Sequence, residues 1–564
     1  MNTFVAYKPF NIMSILDFIT ILLFSVGVLI TGISFSKTGK DMKSFFAGGG
    51  DVPWGMSGLS LFMGFFSAGT FVVWGSIAYS YGWVSVVIQL TMAVAGYVVG
   101  TWIAPRWHRT RSLTAAEYIT ERLGANVQKI YTYIFLAVSV FTTGSFLYPV
   151  AKIVEVSAGL PLTTSILVLG VFSMIYVAIG GLRGVVVTDV LQFVILFAAV
   201  IIVVPLSFNK IGGVEVLCQQ APAGFFQMFR GEYTPGFIIA FCIYNMFFLG
   251  GNWAYVQRYT SVKGEQQAKK VGWLFGSLYM ISPILWMLPP MIYRIYNPTL
   301  TGLQNEDAYL LMCKEAMPDG LLGLMLGGMI FATASSLNAT LNISAGVFTN
   351  DIFRRIKPLA SDKLLMRVAR ISTLGFGVLA LIVALLIKSM GGIVNVVISV
   401  GALTGVPIYL PIIWSLFSKR QTARTILSVT FISLAINLFF KFVSPVLFDK
   451  SLDREWEMIV GSVVPVILLL ILEWILWRRD FIAPMYSTYM VQREKKKIRE
   501  MKVDITLVNQ TNRFTQKVLG IGITVAGIII MVLGVIAEES RTVPIFIGFI
   551  IFVLGVYLLL KARK

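Results

Sequence analysis

Histidine is almost missing from this 564-residue chain: His108 is the only one, and it stands among Arg106, Arg109 and Arg111. That scarcity removes the side chain most used for general acid–base work and transition-metal binding near neutral pH. The three cysteines, Cys218, Cys242 and Cys313, are far apart, and Cys242 lies inside an apolar run, so neither a thiolate metal cluster nor a disulfide framework is indicated. No glycine-rich loop for cradling phosphates is found, which leaves ATP without a seat. Charge is scarce as well. Only 13% of residues are charged against 57% hydrophobic, and the mean hydropathy is +0.81. A water-soluble fold could not bury so much apolar surface, so lipid is the solvent.

What the chain has in abundance is apolar runs. Runs of roughly 20 residues, enough to cross about 30 Å of hydrocarbon, recur from Ile12 to the C-terminus. Charged and turn-rich breaks divide them into about fifteen predicted crossings. These fall near 12–34, 54–80, 84–105, 130–153, 161–179, 184–207, 235–256, 271–293, 320–349, 368–388, 392–418, 424–447, 457–478, 517–537 and 543–561. The first holds Asp17, follows no basic region and ends at no small-residue cleavage site, so it reads as a retained span.

The formal charge is +19, from 46 Lys and Arg against 27 Asp and Glu. With the N-terminus outside, the basic loops around Lys37, Lys40 and Lys43, from Arg106 to Lys129, at Arg183, from Arg258 to Lys270, from Arg354 to Arg370, from Lys419 to Arg424 and from Arg478 to Lys517, with the terminal KARK, all face the cytoplasm. About 35 of the basic residues then lie on that side, the orientation favoured by the positive-inside rule, with the C-terminus cytoplasmic. The basicity is topological, and no nucleic acid is implied. The run from Arg493 to Lys502 reads as a solvated linker or an anionic-lipid contact at the inner face of a cell membrane.

Two spans carry signs of a break. In the second, Gly64, Ser67, Ala68 and Gly69 lower helical propensity at mid-membrane. Five spans later the seventh repeats the trait with Asn245, Gly250, Gly251 and Asn252. Carbonyls freed at such breaks are tolerated in hydrocarbon only where they line a polar cavity, and there they can coordinate an ion. Close helix packing through small residues is the competing reading. The ninth span is rich in hydroxyl and amide groups, Thr333, Ser335, Ser336, Asn338, Thr340, Asn342 and Ser344, which suit a hard monovalent cation such as sodium. Back-bonding to their own helix is the alternative. Asp189, in the sixth span, is an ionisable group held in the membrane and faces a cation, water or Arg183. Asp17, Lys152, Lys388, Lys441 and Glu473 sit nearer span ends and are expected to snorkel.

The stretch GGLRGVVVTDVLQ at Gly180 to Gln192, SSLNATLN leading to FTNDIFRR, TAAEYITERLG at Thr114 to Gly124, and NEDAYLLMCKEAMPDGLLGL together resemble the sodium:solute symporter family over about residues 12–480. The resemblance implies an all-α membrane protein with a leucine-transporter-type core of two inverted five-helix repeats, 54–207 and 235–418. Around that core stand an extra span at 1–34, two more at 424–478, a basic linker at 479–516 and two final spans at 517–564. It implies a sodium ion held by the carbonyls of Met63, Phe66 and Ala332 and the hydroxyls of Ser335 and Ser336. A second cation in some relatives uses the position of Asp189 with two hydroxyls; Asn338 and Ala339 stand at the latter here, so one sodium is favoured.

In sugar-carrying relatives the positions of Thr70, Gln89, Asn245 and Phe248 line the substrate pocket, and Ser67 falls beside them. Phe248 would be an inner gate and Trp74 an outer one. The lysine and glutamine that hold the sugar in those relatives have no counterpart in Ser277 to Ile281 or at Ile398. The expectation is sodium-coupled symport of a small polar solute, sugar- or polyol-like, by alternating access. An organic acid or amino acid symporter, a proton-coupled carrier and a transporter-like sensor stay open, and the oligomeric state is not indicated. An enzyme is not expected.

Overall fold

The computed structural model describes residues 13–34, 52–112, 114–176, 182–500, 505–537 and 541–563. Lys37, Lys40 and Lys43 lie outside the described residues, as do the side chains of Arg183, Ser335, Asn338, Ala339 and Asn342. The longer helices, labelled in chain order, are α1 (Ile15–Ser34), α2 (Trp54–Met63), α3 (Gly75–Tyr81), α4 (Val84–Val98), α5 (Ala115–Leu123), α6 (Ala125–Ala158), α7 (Leu162–Tyr176), α8 (Leu182–Ile211), α9 (Pro235–Gly251) and α10 (Trp253–Thr260). They continue as α11 (Glu265–Tyr296), α12 (Leu321–Val347), α13 (Asp362–Leu386), α14 (Ile393–Ser415), α15 (Ala423–Leu438), α16 (Arg454–Arg478), α17 (Pro484–Glu500), α18 (Ile505–Ile536) and α19 (Thr542–Arg563).

Among the described residues, ten helical stretches are long and apolar enough to cross a membrane, and α9 with α10, bent by 60°, makes an eleventh. The four other expected crossings are shorter or interrupted: Ile15–Val28, the broken pair α2 and α3, Leu162–Val171 and Leu321–Ala334. All four must cross for the expected total to be reached. The chain is a multi-pass helical membrane protein.

Two of the described helices begin on a buried glycine that has no side chain to cap them. Gly320 precedes α12 with φ 82°, and Gly392 precedes α14 with φ 89°. The first N–H groups of a helix have no partner within it, so a buried start needs acceptors from elsewhere. Distant carboxylates supply them. Asp17, 1% exposed, accepts the N–H groups of Gly320 and Gly323 on one oxygen at 2.7 and 2.6 Å. Its other oxygen accepts from the backbone and hydroxyl of Ser14 at 3.2 and 2.9 Å. Glu306, in the 3-10 turn Gly302–Asp307, accepts the Ile393 N–H and the Tyr148 hydroxyl, each at 2.9 Å.

Asp17 therefore does not snorkel, and the same correction holds for three other residues. Lys152 is held at 3.0 Å by both Asp307 and Glu155, Lys441 lies 3.0 Å from Glu457, and Glu473 accepts from Trp414, Ser418 and Gln421. In each case partners within reach satisfy the charged group where it stands. Lys388 is exposed.

Burial pushes the Glu306 carboxyl above the usual carboxylate range, against the lowering pull of the Ile393 N–H, the Tyr148 hydroxyl and Lys152. The folded protein thus keeps a proton that the unfolded chain has already lost. Stability contributed by this group fades as pH rises through the window above the ordinary value of 4.5. Glu306→Gln should flatten that part of the thermal-midpoint profile measured by fluorescence. Glu306→Ala, which leaves two buried donors unpaired, should cost about 1–3 kcal/mol.

The two C-terminal helices pack on each other through glycines at seven-residue steps, Gly520, Gly527 and Gly534 on α18 and Gly548 and Gly555 on α19. Seven residues make two turns, so each set lines one face. A Cβ on Gly527 would stand 2.5 Å from the Phe552 nitrogen. Backbones in direct contact gain the dispersion that replaces the hydrophobic effect in lipid. Gly527→Leu should force the hairpin apart and lower the thermal midpoint of the detergent-solubilised protein, at a cost of about 1–3 kcal/mol.

Part of the expected linker is helical. On α17, Lys496 pairs with Glu117 and Glu121 of α5 at 2.5 and 2.7 Å, while Tyr489 meets Tyr118 edge-on.

Candidate ion and substrate site

Helix α2 ends at Met63, residues Gly64 to Ser67 leave the helix, and the backbone resumes in a π-helical turn over Thr70–Trp74. An intact α-helix would bring the N–H of Ser67 to the Met63 carbonyl and that of Thr70 to the Phe66 carbonyl. Both donors are diverted, Ser67 to the Phe65 carbonyl at 3.1 Å and Thr70 to the Ser67 carbonyl at 2.9 Å. The Thr70 hydroxyl also bonds to the Phe65 carbonyl. The two carbonyls assigned to sodium from the sequence are thereby released from their helical donors, although Met63 and Phe66 are themselves buried. Behind them Phe66 stacks on Trp286 at 4.7 Å, and Phe62 leans on Tyr279.

The second break differs. Asn252 is extended between α9 and α10, and its side-chain oxygen caps α10 by accepting the Ala254 N–H at 3.0 Å. The carbonyls loosened there are taken up by protein donors: Leu249 accepts from the Tyr259 hydroxyl at 3.1 Å and Gly250 from the Trp107 indole at 2.7 Å. Of the two breaks, the first is the better seat for a cation.

Helix α12 closes on that first break. Thr333 accepts the Ala68 N–H at 2.8 Å while donating to the Met329 carbonyl at 2.7 Å. Its back-bonding and its contact with the break coexist, and Thr333 thereby joins the site from outside the expected set of ion ligands. Thr340 and Ser344 are back-bonded at 2.9 and 2.8 Å. Ser336 reaches its own helix, at Ala332, only at 3.5 Å and lines a cavity together with Gly64.

A cavity of about 180 Å³ opens beside the breaks, and Ser67, Thr70, Trp74, Gln89, Asn245 and Phe248 all line it. Asn245 donates to the Thr91 hydroxyl at 2.8 Å. The Gln89 side-chain oxygen is buried with no protein partner. No charged side chain is among the described residues around this cavity, and aromatic faces dominate its rim. Of the region that differs from sugar carriers, Tyr279 reaches the wall, whereas Ile398 packs in the core against Ile77 and Phe237.

A smaller cavity of about 80 Å³ adjoins it, and Phe248, Tyr255 and Tyr409 line both. Phe248 lies 5.7 Å from each tyrosine ring and 6.0 Å from Phe65, which itself meets Tyr255 at 4.7 Å. Phe248 is thus one member of an aromatic partition whose other three members the sequence did not single out. In the smaller cavity Ser60 donates to Asp189 at 2.5 Å, Arg258 donates to Ser60 at 2.8 Å, and the Arg258 guanidinium stands 3.8 Å from Asp189. A buried arginine lining a cavity beside the broken helices was not expected; its partner is the carboxylate read as a possible second cation site.

Comparison with known proteins agrees with this geometry. The model of the sodium:solute symporter family matches residues 45–432. The chain belongs to that family. This symporter is 28% identical over 477 residues to a sodium/glucose cotransporter of Vibrio parahaemolyticus, covering 77% of this chain and 87% of the other. It is 26% identical over 471 residues to a sodium/myo-inositol cotransporter 2 of Mus musculus, covering 75% and 69%. Among solved structures, a sodium-coupled sialic acid symporter in a substrate-bound outward-open state aligns with a TM-score of 0.67 at 21% identity, over 81% of this chain and 97% of that one. A nucleobase-cation-symport-1 family transporter in a closed conformation aligns with a TM-score of 0.52 at 13% identity, over 79% and 96%. The symporter therefore has the leucine-transporter-type fold. It is a secondary active transporter that couples a solute to sodium, and not an enzyme.

Proposed function

We propose that this symporter carries a small, uncharged, hydroxyl-bearing solute of the sugar or polyol class into the cell with one sodium ion. The observation that carries the reading is the charge-free cavity, walled by amides and rings, lying against a break whose Met63 and Phe66 carbonyls have lost their helical donors. Those carbonyls, with that of Ala332 and the hydroxyls of Ser335 and Ser336, form an all-oxygen set for a hard cation. The unpartnered oxygen of Gln89 accepts from a solute hydroxyl, Asn245 and Thr70 add polar contacts, and a ring such as Phe248 packs on the carbon skeleton. A carboxylate substrate would find no cationic side chain there. The names of the glucose and inositol relatives point the same way.

Residues 54–207 and 235–418 form the inverted repeats, the N-terminus lies outside the cell membrane and the C-terminus in the cytoplasm. Trp74 closes the outer side and Phe248, with its aromatic neighbours, the inner. Sodium entering from outside draws the first break toward α12 and raises the population of the solute-competent state, so ion and solute strengthen each other's binding. The membrane potential adds roughly 2.3 kcal/mol per charge for each 100 mV. Asp189, occupied by Ser60 and Arg258, is not needed for this single ion.

Proteoliposome uptake of labelled glucose, galactose, myo-inositol, proline and sialic acid, with an inward sodium or choline gradient at constant pH, tests the reading. Sodium-dependent entry of a neutral polyol or sugar is expected; no response to the sodium gradient, together with entry when an inward proton gradient replaces it, would make the protein a proton carrier of the same fold. Gln89→Leu should raise the KM of the accepted solute by about tenfold or more, since a buried hydroxyl loses its acceptor.

A further inference from the structure

Asp17 lies in the first helix, outside the repeats, yet it grips the helix that carries the sodium hydroxyls. Its carboxylate takes the Gly320 and Gly323 N–H groups of α12 and is itself aimed by Ser14. Below this contact α1 and α12 touch backbone to backbone: a Cβ on Gly323 would lie 2.4 Å from the Asp17 carbonyl oxygen. Ser336 follows on the same helix about 20 Å deeper, at 1.5 Å per residue. A helix transmits a shift or rotation at its top to its lower turns, and an ion seat tolerates only about 0.5 Å of misplacement.

We propose that Asp17 is a positioning residue for the sodium site. Its carboxylate fixes the height and rotation of α12, so that Thr333 meets the Ala68 N–H and Ser336 faces the broken helix. The inference rests on the sodium-symport reading above and adds a residue more than 300 positions away in sequence from the helix it sets.

The test is a sodium chloride titration of the purified full-length protein in detergent, at ionic strength held constant with choline chloride, read as the shift in thermal midpoint. Asp17→Ala should weaken apparent sodium affinity about tenfold, the scale of one charge-assisted hydrogen bond. Asp17→Asn keeps an oxygen acceptor and should stay within about twofold, and Ser14→Ala should fall between them. Phe18→Ala, on the half-exposed neighbouring side chain, should change nothing. Asp17→Ala that lowers yield or midpoint while leaving sodium affinity intact would make Asp17 an assembly residue and overturn the proposal. If Asp17→Ala cannot be purified, an unchanged sodium affinity in Ser14→Ala overturns it instead. Wild-type protein that is stabilised no more by sodium than by choline would remove the symport reading itself, and this one with it.

Discussion

Replacing Ser335 and Ser336 together by alanine should abolish sodium-driven uptake while leaving membrane insertion and the thermal midpoint without sodium nearly unchanged. The reason is visible at Ser336. The Ser336 hydroxyl has only a 3.5 Å approach to its own helix and faces the cavity that holds Gly64, so its removal costs the resting fold little. For the ion, losing two of five oxygens leaves a desolvated cation short of ligands, and a loss of at least 100-fold in apparent affinity is expected, roughly 1.5 kcal/mol for each oxygen removed. Uptake measured against a sodium gradient, beside a choline control, checks it. Thr333→Val separates two effects: it keeps the assigned ligands but deprives the Ala68 N–H of its acceptor, so it should lower both sodium affinity and the resting midpoint.

The second large effect is expected at Arg258. Its guanidinium and the Asp189 carboxylate are both nearly buried, with Ser60 bonded to each. Removing one partner of such a pair strands the other charge in a poor solvent, which costs about 3–5 kcal/mol. Arg258→Ala and Asp189→Ala should therefore each be severely destabilised, while the double variant should recover much of the loss. Thermal unfolding of the four proteins forms the cycle that measures this. A double variant no better than the sum of the singles would show that the two charges do not stabilise each other.

The interruptions were legible in the sequence because glycine and short polar residues clustered in mid-membrane weaken a helix where lipid offers nothing in return, and the structure breaks the chain at Gly64 to Ser67 and at Asn252. The pocket residues Gln89, Asn245 and Thr70 were named from the resemblance to sugar-carrying relatives, and the structure gathers them around one cavity, where polar groups in a membrane protein escape lipid. What could not be read was partnership across long separations. Nothing near Asp189 in sequence points to Arg258, and nothing near Asp17 points to Gly320. A carboxylate at a span end looks the same whether it stretches to water or caps a helix. Spacing did carry one unread signal, the seven-residue glycine steps in the last two helices, whose direct backbone contact holds them together as a pair.

The carboxylate of Asp17 also sets a problem of timing for the ribosome and the insertion machinery. Its acceptor oxygen is made 303 residues before the Gly320 N–H it will receive. At about 5–20 residues per second, α1 must wait roughly 15–60 s in or beside the bilayer with an acidic group that has only Ser14 for company. The nascent chain either shelters that group at a protein-lined exit or leaves α1 near the interface until α12 arrives. Completion of the ninth crossing would then pull the first into its final depth.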